Sequence, residues 1–117
     1  MTTVISLDEL KDKILDVTLI DVRDDYSYNF GHIQGAEDIP LDNLEEEFKN
    51  KYSPEEKDIV VYGEDEKMGM EAAEKLENIG YNNIMVYKEG FQEWRRSHLP
   101  IKRVEMGQKM RQTKHDK

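Results

Sequence analysis

Two apolar rhythms alternate along the chain. Thr18-Leu19-Ile20-Asp21, Asp58-Ile59-Val60-Val61-Tyr62 and Ile84-Met85-Val86-Tyr87 are short runs of consecutive apolar, mostly β-branched residues. Consecutive rather than alternating burial predicts strands covered on both faces. Between them the spacing is helical. Leu41, Leu44 and Phe48 share one helical face, and Met68, Ala72, Leu76 and Ile79 share another, with Gly80 placed to end that helix in the left-handed conformation. Ser6 followed by Glu9 forms a capping box that starts a helix at Leu7, and Phe91, Trp94 and Arg95 pattern a last short helix. Strand, helix and strand in succession predict an α/β fold with a mainly parallel sheet, helices on both faces.

Open parallel sheets bind ligands at the carboxyl ends of their strands, where the chain turns into a helix. The turn after Tyr62 is therefore the first candidate. It reads Gly63-Glu64-Asp65-Glu66-Lys67-Met68 and runs into the helix that carries Ala72 and Leu76. Amides at such a helix start form a natural anion cradle.

Composition narrows the chemistry. At 117 residues and 13.8 kDa the chain is one domain's worth, and 37% hydrophobic residues suffice for one core. A net charge of -9 disfavours nucleic acid and anionic membranes as general partners. No cysteine is present, which excludes disulfides, thiolate metal sites and a thiol nucleophile in this chain. His32, His98 and His115 lack metal-ligand spacing, and the acids at 64–66 lack the alternation of a calcium loop, so neither metal nor cofactor is expected. Asp8, Glu9, Asp12 and Asp16 interrupt the first thirty residues, leaving no signal peptide or membrane span and making a cytoplasmic location the expectation. Residues 1–100 hold 11 basic and 24 acidic side chains, net -13, against 6 and 2, net +4, in residues 101–117. The division expected is a domain over 1–101 and a basic, flexible tail over 102–117, serving solubility, docking on the domain's acidic face, or an anionic partner.

Leu19-Ile20-Asp21-Val22-Arg23, then Tyr28, then Gly31-His32-Ile33-Gln34-Gly35-Ala36, then Ile39-Pro40-Leu41 form an ordered set of motifs. With Gly80-Tyr81, Glu89-Gly90-Phe91, Trp94 and Leu99-Pro100-Ile101, they make residues 3–101 resemble the rhodanese-like family. Glu89 stands where the family usually has a first glycine. The resemblance implies a three-layer fold, a mainly parallel sheet of about five strands with helices on both faces, and an active-site loop directly after Tyr62. Family sulfurtransferases begin that loop with a cysteine that carries sulfane sulfur as a persulfide, activated by loop amides and the helix start. Here the position falls on Gly63, and the basic residue that commonly closes the loop is replaced by Met68.

Glu64, Asp65 and Glu66 against Lys67 give the loop a charge of -2. At an effective dielectric near 20, one like charge at 4 Å costs an anion about 4 kcal/mol, so the loop is expected to reject thiosulfate and phosphate. The acids have two structural readings: carboxylates favourable to the helix dipole, or one carboxylate folded onto vacant loop amides as a built-in anion. Functionally they read as a contact surface for a basic protein or peptide. Asp21, Arg23 and His32 are expected as scaffold near the site, with Asp21 accepting hydrogen bonds, Arg23 paired with a carboxylate such as Glu37 or Asp25, and His32 shaping a turn. Met68 is expected to pack inward, Met70 to be partly exposed, and Phe91 and Trp94 to anchor the last helix in the core. These residues predict a non-catalytic binding or regulatory module. The alternatives are a sulfurtransferase-related protein using a cysteine from a partner chain, and a structural domain that self-associates.

Overall fold

The computed structural model describes residues 2–104. Its framework is a five-stranded sheet of β1 (Thr3–Ile5), β2 (Thr18–Asp21), β4 (Glu37–Asp38), β5 (Ile59–Tyr62) and β6 (Met85–Tyr87). The strands lie in the order β1-β6-β5-β2-β4 and every neighbouring pair is parallel. The three apolar runs become β2, β5 and β6 at the centre of this sheet. Alternate residues of each run feed opposite cores: Ile59 and Val61 join Ile20 and Val86 on one face, while Val60 and Tyr62 join Leu19 and Tyr87 on the other. That two-sided demand is why the runs are continuously apolar.

The first face is covered by α3 (Leu44–Lys51), through Leu44 and Phe48, and α4 (Glu66–Asn78), through Ala72, Ala73 and Leu76. The second is covered by α1 (Leu7–Lys13), through Leu10, and α5 (Gly90–Arg96), through Phe91 and Trp94. The capping box forms as the sequence predicts: Glu9 N–H donates to Ser6 Oγ at 3.2 Å and Ser6 N–H donates to Glu9 Oε1 at 2.8 Å. Gly80 closes α4 at φ +107°, with its N–H donating to Glu77 O and the Tyr81 N–H donating to Leu76 O at 3.1 Å.

Several short elements escape periodicity altogether. The helix α2 (Asp25–Phe30) buries none of its residues and starts from Asp24, whose carboxylate accepts from Ser27 N–H at 2.8 Å. A separate antiparallel pair joins β3 (His32–Ile33) to β7 (Ile101–Lys102). Lys102 therefore pairs within a strand, and Val104 N–H donates to Asn29 O at 2.9 Å, so the first residues of the expected tail are packed on the domain. The rest of that tail, from residue 105, lies outside the described residues.

At the sheet edge, Asp38 lies in register with Asp21 and has one buried carboxylate oxygen without a partner among the described residues. Burial, then the hydrogen bond and charge of Asp25, push the Asp38 carboxyl up to about 7, with Asp21 and Glu47 adding to the rise. Between about pH 4 and 7 the folded state holds a proton that the unfolded chain releases. The contribution of this group to stability is thus complete below about pH 4 and is lost as pH rises through about 7. Asp38→Asn should raise the midpoint of thermal unfolding at pH 8 by roughly 2–5 °C, discounted for partial exposure, and leave it nearly unchanged at pH 4. Melting curves of both proteins at the two pH values check this, and an equal shift at both would remove the Asp38 proton as the cause.

Candidate functional site

The loop at residues 63–68 leaves the carboxyl end of β5 and enters α4, and two backbone contacts fix its path. Val22 N–H donates to Tyr62 O at 3.0 Å, which ties the strand end to β2, and Phe91 N–H donates to Gly63 O at 3.0 Å, which lays the start of α5 against the loop. That approach requires Gly90: at φ +77° a Cβ there would stand 2.3 Å from Glu64 O. Asp65 is the N-cap of α4, its carboxylate accepting from Met68 N–H at 3.0 Å. Asp65 is thus the carboxylate that folds back onto a helix-start amide. Glu66 and Lys67 are exposed in the first turn.

The space beside Gly63 is filled. A Cβ built on this buried glycine would lie 2.6 Å from Cβ, Cγ and Sδ of Met68, closer than side-chain carbons approach. Met68, packed inward against the α3–α4 core, occupies the volume into which a loop nucleophile would project. Glycine at 63 and methionine at 68 are one packing solution.

Beneath the loop is a buried ionic network. Asp21 is fully buried and Arg23 is 4% exposed. Arg23 Nη2 donates to Asp21 Oδ2 at 2.8 Å and Nε to Oδ1 at 3.0 Å, while Arg23 N–H and Tyr62 O–H also donate to the same carboxylate at 2.9 and 2.7 Å. The remaining donors reach outward: Nη2 to Gly31 O at 2.5 Å and Nη1 to Glu64 Oε2 at 3.2 Å. The guanidinium carbon lies 4.1 Å from the Phe91 ring centroid. Burial opposes the charge on Arg23, but the hydrogen bonds and charge of Asp21 hold its pKa above the ordinary value. Burial, then the charge of Asp21, raises the Tyr62 phenol well above its usual range.

This geometry changes two expectations. Arg23 pairs with Asp21 and Glu64 rather than with Glu37 or Asp25, because Glu37 at the sheet edge is held by Lys51 and the Tyr52 hydroxyl. The loop's charge is also less repulsive than its composition suggests: Glu64 faces a cation and Asp65 faces amides, leaving Glu66 as the carboxylate of the three that nothing among the described residues engages. His32 is buried, stacked on Tyr28 with centroids 3.7 Å apart, and its Nδ1 lies 2.8 Å from Tyr28 O, so the ring is fixed by the turn it shapes. Asp21, Arg23 and the loop are brought together, and His32 stands apart from them as packing. Sequence reasoning passed over Tyr62, Gly90 and the stacking role of Phe91. The Glu89-Gly90-Phe91 triplet was the available signal, a glycine immediately before an aromatic at a helix start.

A parallel three-layer α/β domain with a loop of this kind at the end of its central strand defines the class, and comparison with known proteins agrees. Residues 6–97 match the family model described as the rhodanese-like domain. The chain belongs to the rhodanese-like family. It is 36% identical over 76 residues to the protein YqhL of Bacillus subtilis, spanning 65% of this chain and 59% of that relative's length. A rhodanese domain-containing protein of Drosophila melanogaster is 34% identical over 91 residues, 68% of this chain and 82% of the relative. Among solved structures, the rhodanese-like domain of an Anabaena protein superposes with a TM-score of 0.81 at 27% identity, covering 91% of this chain and 83% of that one. A human single-domain sulfurtransferase gives 0.72 at 26% identity over 80% and 95%.

Removing one member of a buried ion pair strands the other. Arg23→Met should lower the unfolding free energy by about 3–5 kcal/mol, and adding Asp21→Asn to it should recover part of the loss. Urea denaturation of the wild type, the Arg23→Met and Asp21→Asn single variants and the double variant measures this coupling. Independent, additive effects would mean that Asp21 is satisfied by Tyr62 and the backbone alone.

Proposed function

We propose that this chain is a non-catalytic binding or regulatory module of the cytoplasm, derived from a sulfur-transfer fold and acting through the loop at residues 63–68 on a basic protein or peptide. The observation that carries the reading is the Met68 side chain packed against Gly63, in a chain without cysteine. Sulfur transfer on this fold needs a thiolate beside free loop amides, with a counter-charge for the donor's anion. Gly63 supplies no nucleophile, Met68 no counter-charge, and Asp65 already occupies the amide of residue 68. A cysteine offered by a partner chain would have to enter through the volume that Met68 fills. The exposed carboxylate of Glu66, at the mouth of this loop, is the group a basic partner would meet.

A thiosulfate:cyanide assay separates the readings. Wild type and Gly63→Cys should both stay at background, the second because Met68 blocks the new side chain. Gly63→Cys combined with Met68→Ala relieves the clash and provides the comparison. Turnover by the purified wild type, or full activity from Gly63→Cys alone, would overturn the non-catalytic reading. For the contact surface, Glu66→Lys should lower affinity for an immobilised lysine-rich peptide about tenfold without changing the melting temperature, as expected for a central charged contact. Unchanged affinity would remove the loop as that surface.

A further inference from the structure

Beside the loop, on the side away from Met68, lies an open cleft of about 260 Å³ between α2, α5 and β7. Its floor is the Arg23 guanidinium stacked on Phe91. One wall is α2, which presents Tyr26 and Phe30 as a stacked pair, centroids 5.6 Å apart, 75% and 70% exposed. Arg95 from α5 and Arg103 from the segment after β7 also line the cleft. The hydrogen bond from Val104 N–H to Asn29 O pins that segment against α2. Arg95 and Arg103 are exposed and have no ion-pair partner among the described residues.

Asp21 and Glu64 already meet the charge of Arg23, so the free cations of the cleft are Arg95 and Arg103, on a chain of net charge -9. Two free cations beside large exposed rings make this patch complementary to an anion next to an apolar group, on a surface otherwise dominated by carboxylates. We infer that this cleft docks an acidic peptide segment in which a carboxylate stands next to an aromatic or bulky apolar side chain. The carboxylate lies between Arg95 and Arg103, whose planar forks suit it, and the neighbouring side chain stacks on Tyr26 and Phe30. The cleft is smaller than the roughly 300–1,000 Å³ that encloses a drug-sized molecule, which suits a single anchor residue of a longer segment better than a whole ligand. A nucleic-acid strand would carry its repeated phosphates out of the cleft across the acidic remainder of the surface, where they are repelled. The inference goes beyond the loop reading, since neither Gly63 nor Glu66 lines this cleft.

The test is an array of random dodecapeptides probed with the full chain in about 0.15 M salt. Bound sequences should pair Asp or Glu with Phe, Tyr, Trp or Leu. The signal should fall about tenfold in Arg95→Glu/Arg103→Glu and comparably in Tyr26→Ala/Phe30→Ala. These positions are exposed, so circular dichroism should show unchanged folding. Glu66→Lys should leave the pattern intact, which separates this face from the loop's. Selection of basic peptides, no binding above background, or retention of the pattern by the arginine variant would each overturn the inference. It would equally fall if a single-stranded oligonucleotide bound and lost its binding in the same variant, or if sedimentation showed a dimer that Arg95→Glu/Arg103→Glu dissociates.

Discussion

The interaction on which the rest depends is the buried pair of Asp21 and Arg23. Asp21 ends β2 with its carboxylate inside the protein, where an isolated charge is prohibitive, so every oxygen must be met. Arg23 and the Tyr62 hydroxyl meet it, and in doing so bind β2 to β5 side by side at the level where the loop departs. The donors that Arg23 has left reach Gly31, at the end of α2, and Glu64, in the loop itself. One ion pair thereby sets the relative positions of a strand end, a turn, a helix and the candidate site.

Above that platform the loop differs from a sulfur-carrying one in packing as well as in residue identity. An absent cysteine alone would leave a void beside Gly63. Met68 instead brings a flexible thioether into that volume, so the position can no longer accept a side chain without moving the core that α3 and α4 share. The amide at the helix start is likewise occupied from within by Asp65. Both changes favour a closed loop, and both remove features that an anionic sulfur requires. The surfaces left available are the exposed first turn of α4 and the cationic, aromatic cleft on the other side of Arg23, opposite in charge and separated by the Glu64–Arg23 contact.

How far the sequence could be read depended on whether the signal was local. Runs of consecutive apolar residues predicted β2, β5 and β6 because two-faced burial leaves no other pattern, and the capping box and Gly80 marked helix ends through bonds made within a few residues. The edge strands β1 and β4 and the pair of β3 with β7 were silent. They are two or three residues long, and their hydrogen bonds are made to chain far away in sequence. The helix α2 was silent for another reason: it has no buried face to impose a period, only the cap at Asp24.

The same division runs through the site. That the loop after Tyr62 carries no thiol, no closing base and three acids is a property of residue identity, legible without coordinates because chemistry belongs to side chains. Which acid meets which group is not. Glu64 reaches Arg23 from 41 positions away, Glu37 is taken by Lys51 and Tyr52, and Arg103 shares a cleft with Tyr26 and Phe30 only because the chain after β7 returns beside α2. Residue identity and spacing were enough for the family, the central strands and the absence of a thiol. Tertiary structure alone decided that Met68 closes the space beside Gly63 and that a positive cleft opens on an acidic protein, because both arise where segments distant along the chain are packed together.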